Sequence, residues 1–288
     1  MAVLIFGIVN SLTFALIAVG FTLVYGVSRL PNFAHGALYI LTGFVTWIFL
    51  QSLGLNYALS IVLSLIVTAL VGAVIYRFIL IRVRGMEASE IIASFALGLA
   101  IMETLRWGGF AGRNVAIPPF IRGVVTIAGV VVDYQRLFIA GVALAVVILL
   151  WVFTHYTKIG LALRAIAQHE RAAMMLGIDS DLTATVSLAL GSALAGLAAV
   201  TILPLGLMEI PLGYNALTFA IAVCIVGGLG SWTGALIGSF VLGFAQIIIA
   251  QFIGTHWNMV VIFAAIILVL LFRPSGLFGR QKELEERV

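Results

Sequence analysis

Residues 1–26, MAVLIFGIVNSLTFALIAVGFTLVYG, contain no charged side chain. This run is longer than the about 20 apolar residues that an α-helix needs to cross the hydrocarbon core of a bilayer. Similar runs recur along the 288-residue chain, of which 63% is hydrophobic and only 9% is charged. A soluble domain carries about 25% charged residues. The sequence therefore predicts an all-α, polytopic transmembrane helical bundle.

Nine apolar runs are predicted to span the membrane. They cover residues 2–27, 36–52, 56–77, 90–107, 137–155, 181–203, 215–228, 234–253 and 257–272. Residues 215–228 are short for a full crossing and could form half of a broken helix, so we predict about eight or nine spans, some broken or short. A transmembrane β-barrel is disfavoured because its strands would alternate over about ten residues, whereas these runs are continuously apolar.

The basic side chains between the runs predict the orientation of the bundle. If the runs cross the bilayer alternately, eleven Lys and Arg residues lie on one side and four on the other. The positive-inside rule then places the N-terminus outside and the C-terminus in the cytoplasm. The eleven are Arg29, Arg77, Arg82, Arg84, Lys158, Arg164, Arg171, Arg273, Arg280, Lys282 and Arg287, and the four are Arg106, Arg113, Arg122 and Arg136.

Motifs for catalysis do not occur in the sequence. His169 and Glu170 begin like the zinc motif HExxH, but Ala173 stands where the second histidine is required. Neither the nucleophile motif GxSxG nor the phosphate loop GxxxxGK[ST] is present. The sequence therefore indicates a conduit, with no catalytic residue, no metal site and no cofactor bound by this chain.

Two interruptions of the apolar pattern, one in each half of the chain, attract attention. They are SRLPNFAHG at residues 28–36 and GGLGSWTG at residues 227–234. Such a pair is typical of transporters whose helices break beside the substrate path. The predicted path or hinge residues are Asn32, His35, Gly36, Gly227, Gly228 and Gly230. Two simpler interpretations remain open: Asn32 caps a tight cytoplasmic turn, and the glycines allow close helix packing.

Glu103 is a further candidate for the translocation path, because ionisable side chains inside a membrane are costly and usually functional. Arg106 follows it at helical spacing, so an interfacial ion pair is the alternative interpretation. No series of acidic residues suitable for a proton relay accompanies Glu103, which argues against a proton-coupled carrier.

Two connecting segments are long enough to have a role of their own. Residues 158–181, KIGLALRAIAQHERAAMMLGIDSD, place Leu163 and Ile166 on one helical face and charged residues on another. Such an amphipathic helix could lie on lipid or fit a groove in a partner protein. Residues 108–136 contain Pro118 and Pro119, which forbid a regular helix, and form a partly structured lid or docking surface, or an ordinary extracellular loop.

Five pieces of the sequence carry a resemblance that covers nearly the whole chain. In this order they resemble the integral membrane permeases of branched-chain amino acid ABC importers, the LivH type. The pieces are LVYGVSRLPNFAHGALY (23–39), GLALRAIAQHERAAMMLGI (160–178), GSALAGLAAV (191–200), VGGLGSWTGALIGSFVLG (226–243) and LFRPSGLFG (271–279).

The resemblance implies a single transmembrane permease domain over residues 1–288 in the inner membrane of a bacterium, with a cytoplasmic coupling loop at 156–180 and a cytoplasmic tail at 273–288. It implies a second permease subunit as partner, expected to be a paralogue in a heterodimer. It also implies two cytoplasmic ATPases that use ATP, and a periplasmic or extracellular substrate-binding protein. It implies no nucleic-acid partner. The residues expected at the ATPase groove are Arg164, Ala165, Arg171, Ala172 and Gly177.

The expected function is import of branched-chain or other neutral amino acids by alternating access, driven by ATP binding to the partner subunits. The alternatives are a related permease for urea or short amides, and an ATP-independent channel. A channel should show a repeated polar or charged ring, which the sequence lacks.

Overall fold

The computed structural model describes residues 1–29, 31–113 and 115–279. Helices dominate this part of the chain. They are α1 (Ala2–Ser28), α2 (His35–Gln51), α3 (Tyr57–Ile75), α4 (Ile81–Val83), α5 (Glu87–Leu105), α6 (Tyr134–Tyr156), α7 (Lys158–Gln168), α8 (Glu170–Met175), α9 (Ser180–Ile202), α10 (Leu212–Gly227), α11 (Trp232–Phe252) and α12 (Asn258–Phe272). One turn of π-helix joins α3 to α4, and another extends α5 to Phe110.

Seven helical segments of the described chain are long and apolar enough to cross a membrane, and α2 and α10 are shorter apolar helices. Together they correspond to the nine predicted runs, which confirms the all-α polytopic fold. The run at 215–228 forms one continuous helix, α10, of 16 residues.

Contacts between connecting segments test the predicted alternation of sides. At one end of the bundle, Arg29 donates a hydrogen bond to the carbonyl oxygen of Ala167. Arg84, which follows α4, forms an ion pair with Asp181 at the start of α9. Segments predicted to share the cytoplasmic side therefore do meet.

The C-terminal segment joins the same end, because the backbone N–H of Phe278 donates to the carbonyl oxygen of Gly227 at 2.9 Å. Arg280, Lys282 and Arg287, which contribute to the predicted positive side, lie outside the described residues. The assignment of this end to the cytoplasm remains a prediction from charge.

The opposite end contains an antiparallel hairpin that the sequence analysis did not foresee. Strands β1 (Val124–Ile127) and β2 (Val130–Asp133) pair with Val125 opposite Val132. Their Val, Ile and Thr residues favour extended backbone, and Gly129, with φ 79°, supplies the turn. The segment before the hairpin is tied to the bundle by the Tyr57 hydroxyl, which donates to the carbonyl oxygen of Pro118 at 2.6 Å.

Small residues bring the central helices close together. Helix α1 lies against α9, α10 and α11, and α9 also packs on α2 and α3. At the α1–α9 crossing, a β-carbon on Gly20 would lie 2.7 Å from the carbonyl oxygen of Gly191, so neither helix tolerates a larger residue there. In a membrane such close backbone contact is a main source of helix association.

Candidate functional site

The connection between α1 and α2 folds back into the bundle. The side chain of His35, the first residue of α2, lies 3.1 Å from the carbonyl oxygen of Ile17 through Nε2. Ile17 precedes the end of α1 at Ser28 by about 16 Å of helix rise. The backbone N–H of Phe33 donates to the hydroxyl of Ser94, about 10 Å into α5. Residues 31–34, the re-entrant segment, therefore lie at membrane depth, and α2 begins there.

The re-entrant segment satisfies one further backbone N–H with a side chain of its own. Asn32 is only 5% exposed, and its Oδ1 accepts a hydrogen bond from the N–H of Ala34 at 3.1 Å. His35 is 1% exposed and meets the ring of Phe21 edge-on. Non-helical backbone at this depth is tolerated where protein encloses it. Asn32 thus caps a turn, but the turn lies inside the bundle where a helix is interrupted.

The glycines of both interruptions lie at close backbone contacts. A β-carbon on Gly36 would collide with the carbonyl oxygen of Gly213 on α10, and one on Gly227 would collide with that of Gly234 on α11. Gly228 and Gly230 have φ angles of 107° and 78° in the short turn between these helices. The close contacts of Gly36 and Gly227 therefore agree with the interpretation that glycines allow close helix packing.

The structure does not bring all predicted path residues together. Gly230 lies beside Tyr25 near the end of α1, whereas His35 contacts α1 deeper in the bundle. Glu103 is on the exposed surface of α5 and forms an ion pair with Arg106, as the alternative interpretation expected. Within the residues described, no three His, Cys, Asp or Glu side chains lie close enough together to hold a metal ion.

A groove of about 360 Å³ lies between α1, α2, α10 and α11, beside the end of α9. Its lining includes Asn10, Phe14, Tyr39, Asn215, Phe219 and Gln246. Among the described residues that line it, none is Asp, Glu, Lys, Arg or His. Its volume falls in the range of about 300–1,000 Å³ that is usual for small-molecule sites.

The polar groups of the groove come from distant parts of the chain. The Asn10 side-chain amide donates to Oε1 of Gln246 at 2.8 Å and to the carbonyl oxygen of Gly243 at 3.2 Å, which links α1 to α11. Sequence analysis missed this groove because it considered ionisable residues within the spans. Uncharged amides at positions 10, 215 and 246 were the signal that could have indicated it.

The predicted coupling loop, residues 156–180, forms two short helices, α7 and α8, and we call it the coupling segment. Thr157 caps α7 by accepting from the N–H of Gly160 at 3.0 Å. The chain leaves helical geometry at His169, so the amphipathic stretch is broken where one helix was expected. Leu163 and Ile166 are buried against the bundle. Leu176, by contrast, is 83% exposed.

Arg84 ties the coupling segment to the bundle. Its guanidinium forms ion pairs with Glu170 on α8 and Asp181 on α9, and it also donates to the hydroxyl of Ser180. Partial burial acts to lower the pKa of Arg84, but the neighbouring Tyr76, Glu170 and Asp181 outweigh this and raise the pKa above its usual value. Arg84 therefore stays charged at any physiological pH.

The residues predicted to contact an ATPase lie along the coupling segment. Arg164 and Ala165 on α7 and Ala172 on α8 are half-buried, whereas Arg171 and Gly177 are exposed. The Nε of Arg164 is enclosed and has no hydrogen-bond acceptor within the described part of the chain. Gly177 has a φ of 84° and ends the segment with a turn that favours glycine.

Comparison with known proteins gives consistent results. The family model described as "Branched-chain amino acid transport system / permease component" matches residues 3–270. The chain is 32% identical to the high-affinity branched-chain amino acid transport system permease protein BraD of Pseudomonas aeruginosa over 292 residues, which covers 96% of this chain and 95% of BraD. It is 31% identical to LivH of Escherichia coli K12, over 95% of this chain and 94% of LivH.

A solved structure supports the fold. The PsaBC structure from Streptococcus pneumoniae in complex with Fab aligns with a TM-score of 0.51 at 14% identity, covering 96% of this chain and 94% of the other. At this identity the similarity concerns the fold alone. The family model and the relatives go further: this multi-pass membrane protein belongs to the family of permease components of branched-chain amino acid ABC transport systems.

Proposed function

We propose that the chain forms half of a transmembrane path that carries branched-chain amino acids into a bacterial cell, and that cytoplasmic ATPases drive it by docking on the coupling segment. The observation that carries this proposal is the exposed side of α7 and α8 at the positively charged end of the bundle. The chain's relatives are named for branched-chain amino acid transport, which supports the choice of cargo.

The coupling segment has the chemistry of a protein-docking surface. Met175 and Leu176 are large apolar side chains that stand almost fully exposed next to Arg171. Exposed apolar side chains rimmed by charge are typical of interaction sites. Arg164, which is half-buried on α7, adds a further positive charge to the segment.

Attachment to lipid is the weaker interpretation of the same segment. An interfacial helix must keep its apolar face free to enter the bilayer. In α7 the apolar side chains of Leu163 and Ile166 are already used in packing against the chain's own core. The exposed apolar residues at the end of α8 belong to a short helix and a turn, which suit a protein pocket better than a lipid surface.

Ion pairs and hydrogen bonds provide a route from the coupling segment to the path. Arg29, at the end of α1 and directly before the re-entrant segment, holds α7 by a hydrogen bond. Arg84, which follows α4, holds α8 through its ion pair with Glu170. When ATP closes the ATPases, movement of α7 and α8 changes the relative stability of the inward-open and outward-open arrangements of the bundle. His35, inserted between α1 and α2, is the proposed hinge residue.

The remaining parts of the proposed assembly follow from the family. They are a second permease subunit, expected to be a paralogue, two ATPases that bind and hydrolyse ATP, and a substrate-binding protein outside the membrane. This chain itself binds no cofactor. Urea or a short amide is the alternative cargo, but the aromatic and aliphatic walls of the groove favour a cargo with an aliphatic side chain.

The test is a double charge reversal, Arg164→Glu with Arg171→Glu, in the assembled transporter. We expect the ATPases to be lost from the purified complex, while the chain inserts in normal amounts. The matched control is Arg113→Glu with Arg122→Glu, because both arginines are exposed at the opposite end of the bundle. Unchanged ATPase association and transport in the first variant would refute the coupling role.

A further inference from the structure

Largely buried residues of the groove carry polar atoms that have no hydrogen-bond partner in the described part of the chain. Tyr39 is 4% exposed and Gln246 is 8% exposed. Within residues 1–29, 31–113 and 115–279, nothing hydrogen-bonds to the Tyr39 hydroxyl, and nothing accepts from the side-chain N–H groups of Gln246. Neither atom is enclosed by protein, so both face the groove. Both groups are therefore available to hydrogen-bond to a molecule in the groove.

Other side chains complete a set of neutral donors and acceptors. The Asn215 amide also lines the groove without a hydrogen bond in the described part of the chain. Asn10 uses its N–H groups on Gln246 and Gly243, which leaves its Oδ1 as an acceptor. Hydroxyl and amide groups can donate to a carboxylate and accept from an ammonium group.

The rest of the lining is apolar. Phe14 and Phe219 stack with ring centroids 4.9 Å apart, and Ile17 and Leu203 extend the same surface. An aliphatic side chain placed against this wall removes apolar surface from water, which favours binding. The groove thus combines a polar cluster with a hydrophobic wall.

We propose that the groove is a binding site of the permease itself for the zwitterion of a neutral aliphatic amino acid, in which Tyr39, Asn215, Gln246 and Asn10 hold the charged backbone groups. This inference rests on the proposed transport function. It adds a second step of selection, because the site would act on cargo after any external binding protein has released it.

None of the described residues that line the groove is charged, and this decides the selectivity. A zwitterion has no net charge, and its two charged groups can be satisfied by neighbouring dipoles. A cationic or anionic side chain would bring a net charge into a groove that offers no counter-charge, which is costly at membrane depth. The site is therefore expected to accept leucine and to reject lysine and glutamate.

Protection of an introduced cysteine tests the site without using transport. Leu207 lines the groove and is exposed, so Leu207→Cys in a Cys224→Ser background places a single reactive thiol at the opening. In the full transporter complex without ATP, we expect L-leucine to slow labelling by a water-soluble maleimide, and L-lysine and L-glutamate to have no effect. Leu53→Cys, exposed and outside the groove, is the control thiol.

The role of the Tyr39 hydroxyl is tested by adding Tyr39→Phe to the Leu207→Cys chain. Loss of a hydrogen bond to a charged group should raise the leucine concentration needed for half-protection by about tenfold. Tyr57→Phe, which removes a hydroxyl bound to Pro118 away from the groove, should leave that concentration unchanged.

Three results would overturn the binding site: no protection by leucine, equal protection by leucine and lysine, or no effect of Tyr39→Phe. Each is independent of ATP coupling. Protection by leucine in a complex that retains no ATPase would support the site and refute the proposed function. ATP-driven transport by a complex in which leucine gives no protection of the thiol would support the proposed function and refute the binding site.

Discussion

The coupling segment and the groove solve the problem of polar chemistry in a membrane protein in opposite ways. Full charges attach the coupling segment: Arg84, outside the segment, pairs with Glu170 on α8 and with Asp181 on α9, where the side chains remain partly exposed to water. The described lining of the groove offers neutral amide and hydroxyl groups and no charged side chain. The difference follows from solvation, because the free-energy cost of placing an ion is small beside water and large at membrane depth.

The two regions also differ in how they are connected to the bundle. Ion pairs, a hydrogen bond from the Arg29 side chain to the carbonyl oxygen of Ala167, and the burial of Leu163 and Ile166 hold the coupling segment to the bundle. The groove is built from helices whose backbones touch through glycines such as Gly36 and Gly213. A change at the coupling segment should therefore affect coupling, and a change near the groove should affect both binding and folding.

The largest effect is expected from Arg84→Glu. It places a third carboxylate beside Glu170 and Asp181, so repulsion replaces two ion pairs and α8 loses its attachment. We expect ATP-driven transport to fall by at least about tenfold, since this change exceeds the 0–1 kcal/mol of an exposed pair. Transport by the reconstituted complex, normalised to inserted protein, is the measurement.

Two variants make the Arg84 result specific. Arg82→Glu reverses an exposed charge two residues earlier and should leave transport near wild-type. Combining Arg84→Glu with Glu170→Arg restores one of the two ion pairs and should recover part of the activity. Full activity in Arg84→Glu alone would show that the network does not link the ATPases to the bundle.

The next effect is expected at the junction between the two regions. His35→Ala removes a buried ring from between α1 and α2, together with its contact to Ile17. We expect transport to fall several-fold more than the amount of folded protein, because the beginning of α2 loses its fixed position. His155→Ala on the exposed side of α6 is the control, and equal losses of transport and folded protein in His35→Ala would leave His35 a purely structural role.

A substitution at Gly36 tests whether this glycine is needed for close packing between α2 and α10. Gly36→Ala adds a methyl group that collides with the carbonyl oxygen of Gly213, so we expect a lower melting temperature of the purified complex. Gly141→Ala on α6 meets nothing within 4 Å and should be neutral or stabilising by up to about 1 kcal/mol. If both variants melt alike, the close contact between α2 and α10 is not essential to the fold.

The smallest effect is expected from Glu103→Gln. Its ion pair with Arg106 lies on the surface of α5, where such pairs contribute about 0–1 kcal/mol. Transport and folded amount should both stay near wild-type. A severe loss of transport in this variant would place Glu103 in the translocation path.

The sequence was sufficient to predict the features that depend on local pattern. Runs of apolar residues predicted the nine helices, because each must exceed or approach the thickness of the hydrocarbon core. The polar interruption at residues 28–36 predicted a break, although not that the chain would turn back to the depth of Ile17. The hairpin before Asp133 was not predicted, because its Val and Ile residues form a short apolar run that does not alternate with polar residues.

The groove could not be predicted in the same way. Asn10, Tyr39, Asn215 and Gln246 are distant in sequence and meet only through the packing of four helices. Each residue alone is unremarkable within its helix. The break at His169 was missed for a different reason, since residues on both sides of it have good helical propensity.

The most direct test of the account is a mild-detergent purification of the chain from its native membrane, with the bound proteins identified by mass. The account predicts an ATPase and a second permease subunit at stoichiometric levels. Recovery of the chain without any nucleotide-binding subunit, under several lipid conditions, would contradict ATP-driven transport and leave a facilitator as the better description.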